Sequence, residues 1–171
     1  CWDRHSRPLL SAIRSAPKGG GSPTILASGG STAYTAGVIA VDGSGVYFIA
    51  GGANACVLHY RDNSQRLADG DLLLIDAGCE LDGYASDITR TFPVNGTFSG
   101  PQRDVYDLVL ASQAAAIEAV RPGHGWNAPH DAAVRVLAQG FIDLGLCSGT
   151  FDEVMEKELY KQFCMHRTGH W

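Results

Sequence analysis

Asp76 and Asp87 stand on either side of the dipeptide Asp82-Gly83, which favours a two-residue type I′ turn between antiparallel strands. With that turn in place, Leu81 faces Tyr84, Asp76 faces Thr89 and Gly78 faces Asp87. Asp76 and Asp87 then become diagonal neighbours on one face, ~7–8 Å apart at the backbone, and their carboxylates can converge. Asp76 follows Leu72-Leu73-Leu74-Ile75 and is expected to be buried. Two carboxylates aimed together inside a sheet repel and lose hydration unless a cation or proton intervenes. A hard divalent metal satisfies both conditions. In the plainer alternative Asp76 ends a strand and Asp87 is an exposed hairpin acid, and spacing alone does not decide between them.

The histidines carry less by themselves. His166 and His170 are spaced i, i+4 within Met165-His166-Arg167-Thr168-Gly169-His170-Trp171. Zinc ligands on a helix share that spacing, but Gly169 and the lack of an intervening glutamate argue against that motif. His59, in Val57-Leu58-His59-Tyr60, falls in an apolar strand pattern where a core histidine is the ordinary reading. His124 and His130 read as loop and helix-surface residues, and Arg90 as a cross-strand charge partner of Asp87.

The elements that must position these groups follow from pattern and punctuation. Gly37–Val41 and Val46–Ala50 are β-branched and apolar, with a hairpin turn over 42–45. Residues 71–81 and 84–94 form the aspartate hairpin. Ser99 with Gln102 predicts a capping box for a helix burying Val105, Leu108, Val109, Ser112, Ala116 and Val120, stopped at Pro122-Gly123. A second helix starts at Asn127-Ala128-Pro129 and turns Val134, Leu137, Phe141 and Leu144 inward. Thr150 with Glu153 caps a short helix running to about Tyr160. The order is α+β, not alternating parallel.

Composition sets outer bounds. Of the 171 residues 18% are charged and 45% hydrophobic, which is a globular balance. A net charge of −5 argues against nucleic acid or an anionic membrane as partner. The five cysteines, Cys1, Cys56, Cys79, Cys147 and Cys164, are odd in number and form no C-x-x-C pair. Reduced thiols in a cytoplasmic setting are therefore expected. No apolar run reaches the ~18 residues of a membrane helix. The start, Cys1-Trp2-Asp3-Arg4-His5, has neither the form of a signal peptide nor an initiator Met, which fits a fragment or a chain already processed.

The run Ile75-Asp76-Ala77-Gly78-Cys79-Glu80-Leu81-Asp82-Gly83-Tyr84-Ala85-Ser86-Asp87-Ile88-Thr89-Arg90-Thr91-Phe92-Pro93-Val94-Asn95-Gly96 closely resembles the metal-binding hairpin of Xaa-Pro aminopeptidases. These are the proline-specific members of the creatinase/aminopeptidase, or pita-bread, family. Ala50–Tyr60 resembles the strand ahead of that hairpin, and Met165–Trp171 the start of the family's histidine-ligand segment. The resemblance runs from about Ala50 to Trp171. It implies an α+β pita-bread fold, incomplete in its C-terminal half, with 50–171 as the N-terminal part of the catalytic domain. Residues 1–49, rich in Gly and Ser, do not match the family and look out of frame or misassembled. By resemblance Asp76 chelates one metal, Asp87 bridges two and His170 ligates the other. His59 and His166 line the substrate pocket and steady the reacting amide. The implied cofactors are two divalent ions, Mn2+ above all, with Co2+ or Zn2+ as alternatives. The implied reaction is removal of an N-terminal residue preceding proline, through a hydroxide held between the ions.

Departures from the family pattern are also visible. Its two glutamate ligands and a further histidine lie beyond Trp171, so the 171-residue chain is expected to be an inactive fragment. Peptides with proline at the second position are the expected partners, and the parent enzyme is expected to be cytoplasmic, in homo-oligomeric form. An Xaa-Pro dipeptidase (prolidase) or a methionine aminopeptidase is the alternative within the fold, although Asp87-Ile88-Thr89-Arg90-Thr91-Phe92 favours the proline-specific branch. A non-catalytic pita-bread binding module is the alternative of another class. Retention of Asp76, Asp87 and His170 weighs against it.

Overall fold

The computed structural model of the chain describes residues 12–15, 24–28, 39–41, 45–57 and 66–169. It divides into two compact units, Cys1–Phe98 and Ser99–Trp171.

The first unit is built of strands. β1 (Ala12–Ser15) and β2 (Thr24–Ser28) form an antiparallel pair. A second sheet contains β3 (Ile39–Val41), β4 (Gly45–Gly51), β5 (Leu72–Leu81), β6 (Tyr84–Ala85) and β7 (Ile88–Pro93). β5 is central, with β4 on one side and β3 beyond it, and with β6 and β7 along the other side. Every pairing is antiparallel. The expected hairpin between residues 37–41 and 46–50 is present as β3 and β4, with Val41 opposite Gly45. A 3-10 turn, Gly52–Cys56, follows β4.

The turn at Asp82-Gly83 has φ of 52° and 84°, the two positive values that a type I′ turn demands. It sets the expected register: Leu81 pairs Tyr84, Asp76 pairs Thr89 and Leu72 pairs Pro93. Beyond β7 the Val94 N–H donates to the Asp71 carbonyl at 2.9 Å. The Asn95 amide nitrogen donates to Asp69 Oδ1 at 2.7 Å, closing that end of the hairpin.

Leu73 is buried, with Leu67, Ile75 and Val94 packed against it. Leu72, Leu74 and Ile75 are only half-buried, so the apolar run ahead of Asp76 does not bury it. Side chains along a strand alternate between faces, and the cluster around Leu73 covers the face that also carries Ile75. Asp76 belongs to the opposite face and is half-buried rather than buried.

The second unit is helical: α1 (Gly100–Ala119), α2 (Ala128–Asp143), α3 (Phe151–Glu156) and a 3-10 turn, Leu159–Gln162. Both expected caps form. Gln102 Oε1 accepts the Ser99 N–H at 2.9 Å. Thr150 and Glu153 exchange backbone-to-side-chain bonds at 2.9 and 3.3 Å, a reciprocal cap of the kind worth ~1 kcal/mol. α3 stops short of Tyr160 because Glu158 takes a left-handed φ of 52°.

α2 buries Ala133, Val134, Leu137, Ala138 and Phe141, one stripe at helical spacing, in a core with Cys147, Val154 and Tyr160. Each large apolar side chain so buried contributes about 1.5–3 kcal/mol. The Phe141 and Phe163 rings lie 5.2 Å apart and tilted. α1 approaches α2 where Gly140 has no side chain, since a Cβ there would lie 2.8 Å from Leu108 Cγ. Only this narrow strip of α1 is covered, including Leu108 and the buried Ser112, whose hydroxyl donates to the Val109 carbonyl at 2.8 Å. Val105, Val109 and Val120 are exposed within this unit, contrary to the stripe expected from periodicity. Leu144 is also exposed, because it lies past the last turn of α2.

Candidate metal centre

Asp76 sits in the middle of the sheet. It is opposite Phe48 of β4 on one side and Thr89 of β7 on the other. Two flanking strands fix its backbone, so the direction of its side chain is set by the pleat. Asp87 lies in a two-residue interruption, Ser86-Asp87, between β6 and β7, and is exposed. The pairing has the same register before and after the interruption, so no residue is inserted. Asp87 therefore remains diagonal to Asp76 across the ladder and on its face, the arrangement that lets two side chains meet. Arg90 does not close this face. Its guanidinium Nη1 donates to the Thr89 carbonyl at 2.7 Å.

Oxygen donors on one face suit a hard divalent cation in kind. They do not suffice in number, because no group of three His, Cys, Asp or Glu side chains converges among the described residues. Asp76 and Asp87 are thus the residues that would begin a metal site.

His166 belongs to the second unit and is exposed. Its Nδ1–H donates to the Arg167 carbonyl at 2.7 Å, which leaves Nε2 as the acceptor nitrogen. His59 and His170 lie outside the described residues.

The start of α2 holds the segment that carries His166. The Arg167 guanidinium donates to Asn127 Oδ1 at 2.6 Å, and the Thr168 N–H donates to His130 Nδ1 at 3.4 Å. His130 is half-buried rather than a free surface residue. Burial, then the positive charge of Arg167, push its pKa below the ordinary value. Sequence reasoning missed Asn127 and His130 as the anchors of this segment. The only local signal was Asn127 at a helix start, and its side chain makes no cap bond there.

Comparisons with known proteins bear on the whole arrangement. The family model described as Metallopeptidase family M24 matches residues 14–171. The chain is similar to the Xaa-Pro aminopeptidase of Haemophilus influenzae, 54% identical over 123 residues, covering 72% of this chain and 29% of that protein. It is similar to the Xaa-Pro aminopeptidase of Escherichia coli at 45% identity, covering 72% and 28%. The chain thus spans under a third of the length of these relatives. Among solved structures, Pseudomonas aeruginosa aminopeptidase PepP matches with a TM-score of 0.70 and 55% identity, covering 73% of this chain and 28% of that one. A zinc-substituted E. coli aminopeptidase P in complex with product matches with a TM-score of 0.69 and 44% identity, over the same shares. The expected α+β pita-bread fold, present in part, is borne out by these neighbours.

Proposed function

The chain belongs to metallopeptidase family M24, and from that membership we propose that its protein is an aminopeptidase releasing the N-terminal residue ahead of proline. Its similar relatives carry the name Xaa-Pro aminopeptidase, and the hairpin register, with Asp76 opposite Thr89, supports a shared face for Asp76 and Asp87. The single observation that carries the reading is Asp76 fixed opposite Thr89, with Asp87 diagonal to it on one face.

Asp76 and Asp87 are the proposed carboxylate ligands and His170 the imidazole ligand, with His59 and His166 facing the substrate. Aminopeptidases of this family are dimetal enzymes, and a zinc-substituted structure stands among the neighbours. Mn2+ is the proposed native ion, because a mainly carboxylate donor set suits hard to borderline ions. When bound, the two ions lower the pKa of water and neutralise charge on the reacting carbonyl. The residues of the chain do the rest. Asp76, on the central strand, and Asp87, diagonal to it, would supply the carboxylates that hold the ions, and His166 would face the substrate.

Residues 50–171 are the proposed N-terminal part of the catalytic domain. The family model itself matches residues 14–171. Peptides with proline second are the proposed partners, the proposed setting is cytoplasmic, and nucleic acid and membrane are not among the proposed partners. Among the described residues no helix is long and apolar enough to cross a membrane.

The test uses the protein containing this chain together with whatever flanks it in its gene. After Mn2+ reconstitution it should cleave a peptide with proline at the second position and leave the matched peptide with alanine there. Equal cleavage of both, or selective cleavage after an N-terminal methionine, would replace this reading.

A further inference from the structure

Gly78 faces the interruption at Ser86-Asp87. On both sides of it the ladder is regular, with Ala77 opposite Ile88 and Glu80 opposite Ala85. At the interruption the chain of residues 86 and 87 presses against Gly78. A Cβ built on Gly78 would overlap the carbonyl oxygen of Ser86, lie 3.3 Å from the Ser86 carbonyl carbon and 3.9 Å from Asp87 Cα. The overlapped atoms are backbone, so no side-chain rotation relieves the contact. Glycines at Gly100, Gly125 and Gly169 have nothing within 4 Å of such a Cβ, so crowding is specific to certain positions. No left-handed φ is recorded for Gly78. Its lack of a side chain serves close approach, not backbone conformation.

We propose that Gly78 is a positioning residue for Asp87: the missing side chain lets the Ser86-Asp87 backbone sink onto β5, which brings the Asp87 carboxylate to the level of Asp76. This inference rests on the reading of Asp76 and Asp87 as metal ligands. Any side chain at 78 lifts the Ser86 carbonyl away from β5. Asp87 follows as the next residue, while the strand pairs from Leu72 to Ala77 can persist. A displacement of about 1 Å suffices to spoil a shared ligand geometry.

The experiment uses the whole 171-residue chain with Mn2+ as the probe, read by paramagnetic broadening of backbone amides, which registers millimolar occupancy. Amide exchange of Leu73–Ile75 and Thr91–Phe92 reports the hairpin independently of metal. Wild type should show broadening centred on Asp76 and Asp87. Gly78→Ala should weaken it at least tenfold in Mn2+ concentration while hairpin protection persists, and Gly125→Ala should behave as wild type. If Gly78→Ala fails to fold, the double variant Gly78→Ala with Ser86→Gly gives residue 86 the freedom to swing away. It should regain hairpin protection without regaining Mn2+ affinity. Wild-type affinity in either variant overturns the proposal. Asp87→Asn separates the two levels. If Asp87→Asn loses Mn2+ while Gly78→Ala keeps it, the ligand reading stands and Gly78 is not a positioning residue. If wild type shows no broadening at these residues, or Asp87→Asn binds as wild type, the ligand reading falls and this inference falls with it.

Discussion

The guanidinium of Arg167 and the amide oxygen of Asn127 meet at 2.6 Å, joining the histidine-bearing segment to the first turn of α2. Beside it the Thr168 N–H donates to His130. Two contacts of this kind restrain a stretch that otherwise has no strand or helix of its own.

Asn127→Ala should therefore loosen the segment without unfolding the unit. The contact is exposed, so its contribution to global stability is expected to be about 1 kcal/mol or less. Thr168 amide exchange should speed up several-fold, while exchange within Val134–Phe141 stays as it was. Uniform acceleration across α2 would show that Asn127 matters for the helix itself.

The hold on this segment should weaken in acid. The folded pKa of His130 lies below its ordinary 6.5, first because of burial and second because of Arg167, with Lys161 acting the same way and Asp131 opposing. A depressed folded pKa means that the fold favours the neutral ring. That contribution is present above pH 6.5 and is lost as pH falls through the folded value. Protonation also removes the lone pair that accepts the Thr168 N–H. After correction for intrinsic exchange, Thr168 protection should decline as pH falls below 6.5, and His130→Gln should abolish that decline.

How far all this was legible before the structure depended on whether a signal was local. Asp82-Gly83 dictates its own turn, and every pair from Leu81–Tyr84 to Leu72–Pro93 follows by counting. The caps at Ser99 and Thr150 are likewise contained within a few residues. The burial of Asp76, Val105, Val109 and Val120 was not legible, because periodicity gives a face and not what covers it. The αL turn at Glu158 had no glycine or asparagine to announce it. His130 looked free because its partner lies 38 residues away. Asp76 and Asp87 could be placed as a pair from turn geometry alone, whereas His166 has no such rule linking it to them.

The thiols should separate cleanly by reactivity. Cys56 is exposed, Cys147 buried and Cys164 half-buried, and all three are free. Burial pushes the Cys164 thiol up, which lowers its thiolate fraction near neutral pH. Of these three, brief alkylation of the folded chain should modify Cys56 first and leave Cys147 untouched until urea unfolds the helical unit. Rapid labelling of Cys147 would place it outside the core it shares with Phe141 and Val154.

Phe141 offers the strongest test of that core. The residue is 4% exposed, its ring lies tilted against that of Phe163, and its carbonyl accepts the Leu146 and Cys147 N–H groups at 2.7 and 3.0 Å. Phe141→Ala keeps the carbonyl and removes the ring, leaving a cavity among Leu137, Cys147 and Val154. The expected loss is ~3–5 kcal/mol, read as a lower urea midpoint for the helical signal. A loss under ~1 kcal/mol would mean that the site collapses freely and that the packing is looser than described.

The last expectation concerns metal and turnover in the 171-residue polypeptide. Two divalent ions ~3.5–4 Å apart repel strongly, and a stable pair requires several anionic ligands, at least one of them shared. The hairpin contributes Asp76 and Asp87, and the proposed third ligand is His170. The described residues assemble no group of three. One carboxylate held in the central strand and one in an exposed interruption can attract a single ion, but they cannot hold two at fixed separation. Calorimetry with Mn2+ should therefore give weak binding of at most one ion, and a peptide with proline second should remain intact over hours. Asp87→Asn should abolish even that weak binding, because it removes the charge that makes the face attractive to a cation. Tight uptake of two ions by this polypeptide, or turnover comparable with that of the E. coli relative, would mean that ligands beyond Asp76, Asp87 and His170 complete the centre within these 171 residues.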